Sequence, residues 1–193
     1  MGSQVHGAQP FNQAKRAETV FSEEAMKTVQ TIISHYPPER IKSALLPVLH
    51  VAQAEFGGWL SPETMDYVAS VLKIKPVEVF EVASFYTMYN LKPVGKCVLE
   101  VCQTSSCWLN GAEDIVKYIE KKLNIKVGET SQDGMFTLKV AECLGSCGTA
   151  PMLQCGASFH ENLTYEKVDS ILENYRAAGK LRSYTDLDYK NTL

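Results

Sequence analysis

Residues 97–107 read CVLEVCQTSSC, and residues 136–147 read FTLKVAECLGSC. Each is a short run of β-type composition that ends at a loop carrying two cysteines. The first pair is Cys102-x4-Cys107 and the second is Cys143-x3-Cys147, with 35 residues between the pairs. If the two runs are neighbouring strands, both loops fall at one edge of a sheet, and thiolates far apart in sequence converge there. Around these runs the pattern is amphipathic. Residues 111–124 place Ala112, Ile115, Val116, Ile119 and Leu123 inward, and Thr164 can cap a final helix that buries Val168, Ile171, Leu172 and Tyr175 before Gly179. A third short strand is expected at 152–155, after Pro151, and Asp133-Gly134 marks a turn before the second. The expected order β-α-β-β-α makes this half of the chain a small sheet with helices packed on it.

Four thiolates at one sheet edge suit a two-iron cluster, which takes two on each iron. The intervening residues Gln103-Thr104-Ser105-Ser106 and Leu144-Gly145-Ser146 are small and uncharged, so backbone N–H groups can approach the sulfurs. A zinc site with four cysteine ligands has similar chemistry but favours compact knuckles with gaps of about two to four residues. A thiol–disulfide enzyme would favour Cys-x-x-Cys after the first strand. Spacing puts iron–sulfur ahead and leaves structural zinc open. Cys97 and Cys155 are expected to pack as small apolar residues. Trp108 is read as a packing residue over the site, with a docking surface as the alternative, and His160 as solvent-exposed.

All six cysteines lie after residue 96, which concentrates the chemistry in the second half. The net charge of −3, without a long basic run, argues against nucleic acid. No apolar stretch reaches the roughly 20 residues that span a bilayer, so no direct membrane insertion is expected. The start, MGSQVHGAQPFNQAKR, has no apolar core of a secretory signal, and an intracellular, soluble chain is expected. Neither G-x-G-x-x-G after a strand nor G-x-x-x-x-G-K-[ST] occurs, so any nucleotide site belongs to another chain.

The first half reads as helices. Ser22 caps a helix bearing Met26, Val29, Ile32, Ile33 and Tyr36, stopped by Pro37-Pro38. A second, from about 39 to 55, contains Pro47 and should kink or split. Ser61-Pro62 opens a third helix, and Pro76 a fourth through about Ser84. The boundaries expected are a disordered segment at 1–20, a helical bundle at 21–92, the cysteine-bearing domain at 93–179 and a tail at 180–193.

The blocks EVASFYTMYNLKP (81–93), VCQTSSCWLNGAEDI (101–115) and TSQDGMFTLKVAECLGSCGTAPMLQ (130–154) resemble the small [2Fe–2S] subunit of the bacterial NADH:quinone oxidoreductase, complex I, and its mitochondrial counterpart. The resemblance implies an α+β chain: a helical bundle followed by a thioredoxin-like α/β domain. It implies one [2Fe–2S] cluster on Cys102, Cys107, Cys143 and Cys147, and no residue acting as general acid or base. It also implies partners: a flavoprotein subunit that binds NADH and FMN, and further iron–sulfur subunits. The place implied is the cytoplasm, peripheral to the inner membrane, rather than the mitochondrial matrix. Similar chains serve NAD-linked formate dehydrogenases and multimeric, bifurcating hydrogenases. Departures are mild: Ser146 stands where Ala is common, and Cys155 where cysteine is unusual. Because neither ligand loop holds Lys or Arg, a low reduction potential is expected.

Overall fold

Ser22 Oγ accepts the N–H of Ala25, and that cap starts the first helix of the computed structural model, which describes residues 19–179. The segments expected to be disordered or a tail, apart from residues 19 and 20, lie outside the described residues. Helix α1 (Glu23–Ser34) buries Ala25, Val29 and Ile32. The second predicted helix is split: a 3-10 turn at Pro38–Ala44 leads into α2 (Leu45–Glu55). The break falls ahead of Pro47, which leaves the proline in the first turn of α2, where a missing N–H costs no helical bond. Ser61 caps α3 (Pro62–Leu72) through the N–H of Thr64, and α4 runs Pro76–Phe85. Val29, Val48, Leu49, Leu60, Val68, Leu72 and Val79 lie at the centre of one helical core.

A second core forms around the sheet. Strand β1 (Cys97–Cys102) pairs in parallel with β2 (Phe136–Ala141), and antiparallel with β3 (Leu153–Cys155), which pairs with β4 (Ser158–His160); the order is β2-β1-β3-β4. The parallel pair is joined through α5 (Ser105–Leu109) and α6 (Ala112–Leu123), and α7 (Tyr165–Ala178) closes the described chain. Two elements escape the sequence pattern: β4, which is only three residues long, and α5, which sits where a loop is expected.

The period of two along the strands sorts their faces. Cys97, Leu99, Phe136, Leu138, Leu153 and Cys155 are fully buried on the apolar face. Helices α6 and α7 lie side by side: the Tyr118 hydroxyl donates to Asp169 at 2.9 Å, and the Tyr118 and Tyr165 rings stack at 4.5 Å. The other face is polar. There Lys139 Nζ reaches its register partner Glu100 at 3.3 Å, and also donates to Thr87 O at 3.1 Å and Asn90 Oδ1 at 3.0 Å. The Asn90 N–H donates to Gln53 Oε1 at 2.7 Å and its side-chain amide to Gly58 O at 2.9 Å, so one lysine ties the sheet to the helical core. Gly95 brings the chain into β1 so closely that a Cβ there would meet the Met135 backbone at 2.9 Å.

Cys97 and Cys155 pack in the apolar core as expected, and they also meet there. Both are fully buried; they are diagonal neighbours on one face of β1 and β3, with Cα atoms 6.4 Å apart, and the structure joins them as a disulfide. That separation lies within the usual disulfide range. Their meeting comes from strand register, which spacing in sequence does not contain.

Candidate metal centre

The parallel register sets the site. Cys102 stands opposite Ala141, so β1 ends at the first cysteine and β2 ends two residues short of Cys143. Both cysteine segments therefore leave the sheet at the same edge. Cys107 is brought back by one turn of α5, with its N–H on Thr104 O at 2.8 Å. Gly145 takes φ +78°, a left-handed turn between Cys143 and Cys147 that other residues adopt at a cost. Cys147 begins a short 3-10 turn, Cys147–Thr149.

Cys102 and Cys107 are buried; Cys143 and Cys147 are exposed. The Cys102 sulfur interacts with both the Cys107 and Cys143 thiols and accepts the backbone N–H groups of Thr104 and Leu144. Cys107 accepts the N–H of Met152 and lies within electrostatic range of Cys147. The four residues thus form one neighbourhood built from both loops. Among the described residues, no three His, Cys, Asp or Glu side chains close on a point as the ligands of a single ion would.

The thiols differ in acidity. Burial pushes Cys102 up, but the N–H donors of Thr104 and Leu144, with the neighbouring thiols, more than offset it and hold the group below the usual value. Burial raises Cys107 to about 11, and the hydrogen bond to Cys102 adds to the rise. The inner pair is therefore coupled, with Cys102 the more acidic of the two. Thiols must shed protons to bind metal, so loading the site releases protons.

Ser106 Oγ donates to Cys147 O at 2.8 Å and links the two ligand segments directly. Glu161, just after β4, accepts from the hydroxyls of Ser146 and of Thr149, the latter at 2.7 Å. Sequence reading passes over this carboxylate, because nothing nearby in the chain connects it with the cysteines. Two other expectations are corrected. Trp108 does not cover the site: it is 56% exposed, with Nε1 on Glu113 at 3.1 Å. His160 is half-buried rather than free in solvent, and its Nε2 lies 2.9 Å from the Tyr175 hydroxyl.

A family model for thioredoxin-like [2Fe-2S] ferredoxin matches residues 29–176. The chain belongs to this family. An NADH-quinone oxidoreductase subunit of Rickettsia felis is 44% identical over 155 residues, which cover 80% of this chain and 93% of that protein. The mitochondrial NADH dehydrogenase [ubiquinone] flavoprotein 2 of Dictyostelium discoideum is 41% identical over 81% of this chain and 63% of its own length. Among solved structures, an NAD+-reducing [NiFe]-hydrogenase in the air-oxidized state shares the fold, with a TM-score of 0.60 at 18% identity, over 69% of this chain and 23% of the hydrogenase chain.

As a thioredoxin-like [2Fe-2S] ferredoxin, the chain has a two-iron cluster as its cofactor, not zinc. The donor set fits it: four thiols from two uncharged loops, with backbone N–H groups already directed at Cys102 and Cys107. Among the described residues, no helix is long and apolar enough to cross a membrane.

Proposed function

We propose that Cys102, Cys107, Cys143 and Cys147 hold the [2Fe–2S] cluster of an electron-transfer subunit of NADH:quinone oxidoreductase. The single observation behind the ligand set is the meeting of both cysteine pairs at the edge of the parallel β1–β2 pair. The cluster supplies one-electron chemistry. The chain positions the sulfurs, screens the inner two from water and offers N–H dipoles to them. Residues 21–92 serve as the helical unit and 93–179 as the cluster unit. NADH and FMN belong to a neighbouring flavoprotein subunit, with which this chain exchanges single electrons, and further iron–sulfur subunits complete the assembly. Trp108 and Leu109, both exposed directly after Cys107, leave apolar surface beside the site for such a neighbour.

The test is direct. The purified chain should carry two irons and two sulfides and show a visible spectrum bleached by dithionite. Cys143→Ser and Cys102→Ser should each remove or strongly alter that spectrum. A wild-type spectrum in either variant would overturn the ligand set. Co-purifying subunits distinguish an NADH:quinone oxidoreductase from a formate dehydrogenase or a hydrogenase that uses an equivalent subunit.

A further inference from the structure

Cys147, like Cys143, is exposed, and it sits in a three-residue 3-10 turn rather than at the end of a strand. Yet the turn is closely held. Ser146 Oγ and Thr149 Oγ1 lie 2.7 Å apart, one on each side of Cys147, and both donate to the same Glu161 carboxylate oxygen. Asn162 N–H donates to Thr149 O at 2.7 Å, and Leu163 N–H to Pro151 O at 2.9 Å, so the chain around Glu161 is pinned along the turn. Lys167 Nζ donates to the backbone oxygen of Glu161 at 2.5 Å from the first turn of α7.

We propose that Glu161 is a positioning residue for the cluster: its carboxylate clamps the Cys147 turn and, as a fixed negative charge held against that turn, keeps the centre hard to reduce. This rests on the reading of Cys147 as a ligand. The two parts have separate physical causes. The clamp comes from two hydroxyl donors converging on one oxygen, and hydrogen bonds to an ionised acceptor are the stronger kind. The electrostatic part comes from the charge that one-electron reduction adds to the site. No Lys or Arg lies in either ligand loop, so a nearby carboxylate opposes that charge with little compensation. The two hydroxyl donors hold the Glu161 carboxyl below its ordinary value, which keeps it charged at neutral pH. The Lys167 ammonium weakens the effect without changing its sign, since it remains when Glu161 is neutralised.

The experiment uses the full chain loaded with its cluster, in five variants beside wild type. Glu161→Gln keeps an acceptor oxygen and removes the charge. It should retain iron and sulfide but shift the midpoint in a dithionite titration to more positive potential. The ratio of reduced to oxidised cluster at the wild-type midpoint should rise at least threefold, a shift of about 28 mV at 59 mV per decade. Glu161→Ala should add a loss of the clamp, seen as visible absorbance bleaching at least threefold faster than in Glu161→Gln under a chelator. Ser146→Ala with Thr149→Ala tests the clamp with the carboxylate intact, and should bleach faster than wild type. Glu161→Asp should return the midpoint toward wild type. An unchanged midpoint in Glu161→Gln overturns the electrostatic part; wild-type bleaching in the double hydroxyl variant overturns the clamp. Cys147→Ser, run alongside, separates the two levels: a wild-type spectrum there overturns the ligand reading itself, whereas its loss with unaltered Glu161 variants overturns this inference alone.

Discussion

Ser106 and Cys147 are joined by a hydrogen bond of 2.8 Å from the serine hydroxyl to the cysteine carbonyl, across 41 positions of sequence. It links the segment of one cysteine pair to the segment of the other before any metal is considered. A site assembled from two loops must hold them in register to keep its geometry, and this bond does so without using a sulfur.

Ser106→Ala removes that link while leaving every thiol in place. Its expected cost to apo-protein stability is about 1 kcal/mol, the usual net value of one hydrogen bond. Urea unfolding of the apo form reads that cost. Iron release under a chelator should also quicken. Unchanged release kinetics would mean the cysteine segments are held together by other contacts.

Lys139 carries the connection between the two cores, through Thr87, Asn90 and Glu100. Lys139→Ala should lower stability by ~1–2 kcal/mol, because partly buried charge-assisted bonds exceed ordinary surface pairs. The fall should show as a lower urea midpoint. It should also raise protease cleavage in the connection at 86–96, where a purely local effect on the sheet would leave cleavage as it was.

The Cys97–Cys155 disulfide predicts a thiol count. Acid-denatured, unreduced protein should take up alkylating agent at four cysteines, and at six only after reduction. Cys155→Ala should keep the cluster's visible spectrum, since neither residue belongs to the ligand neighbourhood. Removing a cross-link that spans 58 positions should cost about 2–4 kcal/mol. Six reactive thiols without reduction would count against the pairing.

His160 sets a pH dependence. Burial lowers its pKa below the ordinary 6.5, and the charge of Lys167 adds to the shift. The unfolded chain therefore binds a proton more readily than the folded one. The neutral-histidine contribution is complete above the unfolded value and is lost as pH falls through the folded one. Apo-protein stability should decline as pH falls below the ordinary 6.5, and His160→Gln should lessen that slope. An identical slope in the variant would place the titration elsewhere.

Much of the fold is legible where a local rule suffices. Ser22, Ser61 and Thr164 each cap the helix expected of them, because an N-cap is settled within three or four residues. The parallel neighbours β1 and β2 follow from two runs with the same period and the same ending. Pro47 signals a break, but the break falls before it, since a proline in a helix's first turn is tolerated. The strand β4 is not legible, because Ser158-Phe159-His160 offers a single apolar residue, unlike the equally short β3. Nor is the placement of Trp108, because an aromatic beside a ligand has the same composition whether it covers the site or faces water.

The sequence by itself determined the four thiols, their two uncharged loops and the strands that end at them, because ligand chemistry and alternation are properties of neighbouring residues. Only the tertiary structure decided which residues distant in sequence meet. Glu161 reaches the Cys147 turn through the β3–β4 hairpin, Ser106 reaches it across the parallel pair, and Cys155 meets Cys97 through antiparallel register. Each of these contacts depends on how strands align in space, and strand alignment is an outcome of packing the whole sheet rather than of any stretch within it.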